Sequence, residues 1–195
     1  IYEGTNEINR MLSIGLLLKK GMKGELDLMP AVMQAAIRMG GKKVESVGEG
    51  VLAQEKHLIQ NFKQLFLMIA GNATQKYGSQ LEEEQQVLQA LADILIEIFF
   101  SESALLRTLK NCTRKGIESQ GIQIAMVQNY VLEAQSLIIK RLKEVIIHLT
   151  AENKEERNQL FAVVQKHGEY IDYQDSIHLK NKIADHLIQE NNYCF

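Results

Sequence analysis

Three long stretches of this sequence repeat large apolar side chains at helical spacing, and this pattern constrains the fold more than any other feature. The stretches cover about residues 51–77, 81–110 and 121–149. Apolar residues that recur every three to four positions predict a helix with one buried stripe. In the second stretch the predicted stripe comprises Val87, Leu88, Leu91, Leu95, Ile98, Phe99, Leu105, Leu106 and Leu109. No useful length of chain alternates with period two, so strands are not expected.

Shorter periodic segments flank the three long ones. They predict helices over about 5–20, 30–39, 153–167 and 174–190, with Thr5 as the N-cap of the first. Gly78, Gly116 and Gly121 fall where C-caps and turns are needed. Long helices joined by a few residues pack antiparallel. The predicted fold class is therefore all-α, an antiparallel helical bundle of three long helices plus shorter flanking helices.

Changes in glycine content and in apolar periodicity along the chain predict three parts. Residues 1–20 carry a motif and the helix that follows it, residues 21–50 form a connector with several glycines and a short helix, and residues 51–195 form the bundle. The chain opens with Ile1 and not with Met. We therefore expect a segment of a larger protein, whose own N-terminus and any targeting signal lie elsewhere.

Composition narrows the classes of function. The 195 residues are 46% hydrophobic and 24% charged, as in a globular domain with a real core, and the net charge of -2 does not favour nucleic-acid binding. No apolar run reaches the roughly 20 residues that span a bilayer, which favours a cytoplasmic location. Cys112 and Cys194 stand alone, and no histidine has a glutamate three residues before it. We expect no metal site and no disulfide.

The first ten residues, Ile1-Tyr2-Glu3-Gly4-Thr5-Asn6-Glu7-Ile8-Asn9-Arg10, are the most informative. Glu3 stands just before a predicted helix start, Gly4 allows a ligand to approach the backbone, and Thr5 can cap the helix or donate to an anion. Taken as residues alone, these features fit a ligand site and equally fit a helix N-cap beside a solvated glutamate.

This string resembles the IYEGTNEIQR signature of acyl-CoA dehydrogenases, with Asn9 where glutamine is commoner. The remainder of the chain resembles, more loosely, the extra helical domain that follows the signature in the very-long-chain type. The resemblance implies an FAD-dependent enzyme of fatty acid β-oxidation, which converts an acyl-CoA to the trans-2-enoyl-CoA. The segment alone is expected neither to hold FAD tightly nor to turn over substrate.

The resemblance also implies residue roles. Glu3 matches the catalytic base, which removes the proton α to the thioester carbonyl. Tyr2 and Gly4 match positions beside the substrate. Thr5, Asn6 and Glu7 match positions lining FAD. An electron-transferring flavoprotein as electron acceptor and a homodimer are implied as partners. The other hypothesis is a non-catalytic helical interaction module that carries a vestigial dehydrogenase motif.

Segment 11–43 combines lysines and arginine with methionines. It contains Lys19, Lys20, Lys23, Arg38, Lys42 and Lys43, and also Met11, Met22, Met29, Met33 and Met39. A Met-rich apolar face beside scattered lysines suits a membrane surface or an adaptable partner groove. The alternative is that the segment packs under the bundle. In the very-long-chain relatives the region is associated with the membrane surface, so the resemblance favours peripheral membrane contact.

Overall fold

The computed structural model describes residues 4–41 and 46–191, apart from the side chain of Met22. Within these residues the chain forms seven α-helices and no strand, which confirms the all-α fold class. The helices are α1 (Asn6–Met22), α2 (Leu28–Gly40), α3 (Ala53–Tyr77), α4 (Gln85–Lys115), α5 (Gly121–Leu149), α6 (Lys154–Gly168) and α7 (Ser176–Glu190). Two 3-10 helices, Gly78–Glu83 and Glu118–Gln120, precede α4 and α5.

The three long helices contain 25, 31 and 29 residues and form the bundle. Polar contacts between α4 and α5 show that these two run antiparallel. Glu84 at the start of α4 meets His148 near the end of α5, and Tyr130, far earlier in α5, donates to Glu97 at 2.9 Å. The 3-10 helix after Tyr77 turns the chain back, so that α4 also packs on α3.

The core lies between α3, α4 and α5. Its largest fully buried side chains come from all three helices and include Phe62, Leu65, Ile69, Leu91, Ile94, Ile138, Leu142 and Ile146. Burial of such a side chain stabilises a fold by about 1.5–3 kcal/mol each. Two members of the predicted stripe on α4 were wrong, because Phe99 is 64% exposed and Leu106 is 57% exposed. Phe99 lies near the middle of α4 and Leu106 lies in its second half, and their buried neighbours in the chain are Ile98 and Leu105.

The start of α4 also differs from the sequence prediction. A helix beginning at residue 81 would have placed Glu82, Glu83 and Glu84 in its first turn. The structure places Leu81 in the preceding 3-10 helix, where it is buried, and the Glu84 N–H donates to the Leu81 carbonyl at 3.2 Å. The α-helix begins only at Gln85, because the buried Leu81 holds the tighter turn in place.

Helix α6 ends against the bundle, and side chains of other helices satisfy its last carbonyls. Asn61 of α3 donates from Nδ2 to the His167 carbonyl at 3.0 Å, and Gln135 of α5 donates from Nε2 to the Gly168 carbonyl at 2.8 Å. The final carbonyls of a helix have no partner within it. These two buried amides therefore fasten α6 to α3 and α5.

None of the described helices is both long enough and apolar enough to cross a bilayer.

Candidate active-site edge at the start of helix α1

Only part of the ten-residue motif lies within the described residues. Tyr2 and Glu3, the predicted substrate contact and catalytic base, lie outside the described residues. Gly4 is the first described position, and its φ of +103° lies in the region that favours glycine. A Cβ there would lie 3.1 Å from Asn9 Oδ1. Both facts make a side chain at position 4 unfavourable.

Thr5 begins α1 as the sequence predicted. Its hydroxyl oxygen accepts the Ile8 N–H at 3.4 Å, and its carbonyl accepts the Asn9 N–H at 3.0 Å. Glu7 stands in the first turn, where an acid is favourable beside the helix dipole. The N-cap prediction is thereby confirmed.

Four of the predicted site residues lie within the described chain and form one open edge. Gly4, Asn6 and Glu7 are exposed, and Thr5 is half-buried. The first turn of a helix presents N–H groups and partial positive charge, which suit an anionic group such as a phosphate. These residues therefore fit one side of an FAD site but do not enclose a cofactor. Their assignment to FAD or to substrate stays a prediction, since no contact of this chain tests it.

One face of α1 anchors this edge to the bundle. Ile14 is buried in the core, and Met11, Leu17 and Leu18 pack against it. The opposite face carries Ile8, Leu12 and Leu16, all large, apolar and exposed. Four-residue spacing places these three side chains on one side of the helix. The motif helix is thus apolar on both faces, and only one face has a partner within the described chain.

Arg10, the last residue of the motif, connects α1 to the bundle through charge. Its Nε lies 3.2 Å from Asp93 Oδ1 on α4, and Arg141 Nη2 of α5 lies 2.8 Å from Asp93 Oδ2. Arg141 also pairs with Glu144, and the hydrogen bond to Glu144 is the main reason that the pKa of Arg141 is raised. Sequence reasoning missed this cluster. The available signal was a single acid, Asp93, between the apolar residues Ala92 and Ile94.

The family of the chain follows from comparison with known proteins. The family model described as acyl-CoA dehydrogenase, C-terminal domain, matches residues 61–185, which is more than half of the chain. The chain belongs to this family. The match covers α4, α5 and α6 completely and most of α3 and α7, so the acyl-CoA dehydrogenase assignment also rests on residues well outside the ten-residue motif.

Two bacterial acyl-CoA dehydrogenases are similar over much of the chain. A probable acyl-CoA dehydrogenase of Bacillus subtilis (strain 168) is 38% identical over 147 residues, which are 75% of this chain and 25% of that protein. The crystal structure of an acyl-CoA dehydrogenase complexed with FAD from Bacillus anthracis is 34% identical, with a TM-score of 0.95. That match covers 100% of this chain and 33% of the other. The chain spans about a quarter to a third of the length of these relatives.

The structure also contains a cleft that the motif residues do not line. An open cleft of about 700 Å³ is bordered by α2, α3, α4 and the residues before α3, and its lining includes Arg38, Lys56, His57, Asn61 and Cys112. Among the described residues, no group of three or more His, Cys, Asp or Glu side chains is arranged to hold a metal ion. The cleft therefore offers basic groups, amides, the carboxylate of Glu49 and one thiol.

One histidine is buried where α6 ends against the bundle. The side chain of His167, at the end of α6, is only 5% exposed. Burial lowers the pKa of His167, and the neighbouring Lys166 lowers it further. The imidazole therefore favours the neutral form. Helices α2 and α3 both pack on α6, and the periodicity of α6 alone does not reveal this contact.

Proposed function

We propose that this chain is the C-terminal part of an FAD-dependent acyl-CoA dehydrogenase of fatty acid β-oxidation, with Glu3 as its catalytic base. One observation carries the proposal. The chain superposes over its whole length on an acyl-CoA dehydrogenase complexed with FAD, and its dehydrogenase motif leads into a helix anchored in the bundle. We propose α,β-dehydrogenation of an acyl-CoA to the trans-2-enoyl-CoA as the reaction.

In this proposal the carboxylate of Glu3 accepts the α-proton while the β-carbon loses a hydride and the carbon–carbon double bond forms. In the complete enzyme, bound FAD would supply the acceptor for that hydride. The α-proton of a thioester is very weakly acidic, so the base requires hydrogen-bond donors on the carbonyl oxygen that stabilise developing negative charge. Gly4 and Tyr2 would lie beside the substrate, and Thr5, Asn6 and Glu7 would line the cofactor.

The exposed apolar side of α1 supports a longer parent protein. Ile8, Leu12 and Leu16 form a row that no described residue covers well, and the relatives are three to four times as long as this chain. Contiguous exposed apolar surface usually marks an interaction site. We propose that the remainder of the dehydrogenase packs on this row and completes the site around Gly4 to Glu7.

The decisive experiment compares Glu3→Gln with the wild type in the complete protein, on acyl-CoA substrates from C4 to C18. Loss of a general base costs about 10²–10⁴-fold in rate. We expect a decrease of that size in kcat at unchanged flavin content. The matched control is Glu25→Gln, an exposed glutamate after α1. Full activity of Glu3→Gln would overturn the base assignment.

The same preparation tests the interaction-module alternative. A complete protein that carries no FAD and oxidises none of these substrates would favour a non-catalytic bundle with a vestigial motif. We further propose a homodimer that delivers electrons to an electron-transferring flavoprotein, to be examined by sedimentation and by reduction of that acceptor.

A second candidate function is peripheral membrane contact by segment 11–43. Met29, Met33 and Ile37 are exposed at four-residue spacing on α2, and Lys19, Lys20 and Lys23 are exposed nearby in the chain. Met39, in contrast, is buried, and Lys42 and Lys43 lie outside the described residues. An exposed Met-rich face near lysines favours contact with an anionic surface.

Liposome co-sedimentation of the complete protein tests this candidate. Changing Lys19, Lys20 and Lys23 to glutamate should weaken binding to anionic liposomes strongly, since each basic residue near the surface contributes about 1 kcal/mol. The control makes the same charge change at exposed lysines of the bundle, Lys110, Lys115 and Lys143. Equal binding by both variants and the wild type would exclude the membrane role of this segment.

A further inference from the structure

A buried carboxylate joins the motif helix to two helices of the bundle. The side chain of Asp93 is 8% exposed, and its two oxygens are divided between two arginines. Arg10 of α1 takes one oxygen at 3.2 Å, and Arg141 of α5 takes the other at 2.8 Å. Asp93 therefore links α1, α4 and α5 at one point.

This arrangement is not the simplest way to stabilise a bundle. Removing a carboxylate and parts of two guanidinium groups from water is costly, and apolar side chains of similar volume often stabilise a fold as well or better. The neighbouring positions Ala92 and Ile94 are fully buried apolar residues. A charged group at position 93 is better explained by directional contacts, which hold one helix orientation, than by added stability.

Helix α1 has little else to set its orientation. Within the described chain it packs mainly on α4, through Ile14 and half-buried apolar neighbours. Apolar contacts are non-directional, so they permit α1 to slide or rotate on α4. The guanidinium of Arg10 and the carboxylate of Asp93 prefer a defined geometry. Their contact lies near the N-terminal end of α1, because Arg10 is the fifth residue of the helix.

The distance from this contact to the motif is short. A helix rises 1.5 Å per residue, so Arg10 stands about 6 Å along the axis from Asn6. A slide of α1 along α4 would move Gly4 and Thr5 by about the distance that the helix slides. A misplacement of about 1 Å at reacting groups can cost about 10²-fold in rate.

We infer that Asp93 is a positioning residue for the dehydrogenase motif: by binding Arg10 against Arg141, it holds α1 in the orientation that places the described motif residues Gly4 to Glu7 at the edge of the proposed site. The inference rests on the proposed function. Asp93 lies in the bundle and acts through Arg10, and it contacts neither substrate nor cofactor in this role.

The test uses the complete flavoprotein and the variant Asp93→Asn, which keeps the shape and removes the charge. The matched control is Glu102→Gln. Glu102 lies on the same helix and pairs with Lys63 of α3, so the control removes an interhelical ion pair that does not involve α1. Three quantities are measured: kcat per bound flavin, KM, and amide hydrogen exchange of residues 6–22 by mass spectrometry.

We expect Asp93→Asn to lower kcat per bound flavin by about 10- to 100-fold with KM little changed. We also expect faster exchange in residues 6–22, whereas Glu102→Gln should change neither quantity. Normal exchange in α1, or kcat per bound flavin equal to that of the control, would overturn the inference. Arg10→Lys, which keeps the charge, should recover part of the rate lost in Arg10→Gln.

If Asp93→Asn does not fold, the variant Arg10→Gln still tests the inference, because it leaves the ion pair between Asp93 and Arg141 in place. A fall in kcat per bound flavin supports the inference, and an unchanged value overturns it. The Glu3→Gln variant separates the two proposals. If Glu3→Gln is inactive and the Asp93 and Arg10 variants are fully active, the proposed function stands and the positioning role fails.

Discussion

Glu55 shows at the residue scale how burial makes a single carboxyl sensitive to pH. The residue lies in the first turn of α3 and is only 3% exposed. Burial raises the pKa of Glu55 above its ordinary value of 4.5, and a backbone hydrogen bond partly opposes the rise. Protonation of Glu55 is therefore more favourable in the folded state than in the unfolded chain. The stability contributed by this group is present below pH 4.5 and is lost as the pH rises through the folded-state pKa.

The variant Glu55→Gln should remove the loss of stability that accompanies ionisation of the Glu55 carboxyl. We expect the free energy of unfolding of the variant, relative to the wild type, to increase as the pH rises above 4.5 and through the folded-state pKa of Glu55. Chemical denaturation at several pH values measures this difference. Glu152→Gln, at an exposed glutamate, is the control. A difference for Glu55→Gln that changes with pH no more than that of the control would contradict the prediction.

Single residues also mark the limit of prediction from sequence. The cap at Thr5 was predictable because an N-cap bond joins residues only three positions apart. The burial of His167 and the pairing of Asp93 with Arg10 and Arg141 were not, because each depends on helices distant in the chain. An apolar period predicts which side of a helix is suited to burial, but not which polar side chain will find a partner there.

Helix packing at the scale of elements depends on close approach as well as on apolar area. Helix α2 lies against α3 at Gly71, where a Cβ would come within 2.4 Å of Val32 Cγ1. The absence of a side chain at position 71 therefore sets the separation of the two helices. Val32 is β-branched and stiff in a helix, so it cannot easily move aside.

Gly71→Ala should therefore destabilise the chain by about 1–3 kcal/mol, despite the better helix propensity of alanine. Gly15→Ala on α1 is the matched control, because its Cβ would meet nothing within 4 Å. That control should stabilise the chain by about 0.5–1 kcal/mol. Adding Val32→Ala to Gly71→Ala should restore part of the lost stability. Denaturant titration measures the free energy of unfolding of the wild type, the two glycine variants and this double variant. A Gly71→Ala variant more stable than the wild type would refute the close contact.

The whole molecule presents two kinds of apolar surface on one helix. Ile14 of α1 is buried in the core, while Leu12 and Leu16 are exposed. Ile14→Ala should cost about 2–5 kcal/mol of unfolding free energy.

The double variant Leu12→Gln and Leu16→Gln should change the unfolding free energy by only about 0.5 kcal/mol at each site. The double variant should also self-associate less than the wild type at high concentration, because it has less exposed apolar surface. Sedimentation velocity measures this self-association. Unchanged self-association would contradict an interaction through the exposed face of α1.

The sequence by itself determined the helices and the family. Periodicity predicted all seven helices within a few residues, because the apolar stripe and the turn glycines are local properties, and ten consecutive residues were enough for the acyl-CoA dehydrogenase resemblance. Only the tertiary structure decided which faces are covered and which charges meet. It buried Asp93 between Arg10 and Arg141 and left Ile8, Leu12 and Leu16 exposed. Those outcomes depend on how helices far apart in the chain pack, and no local pattern of side chains contains that information.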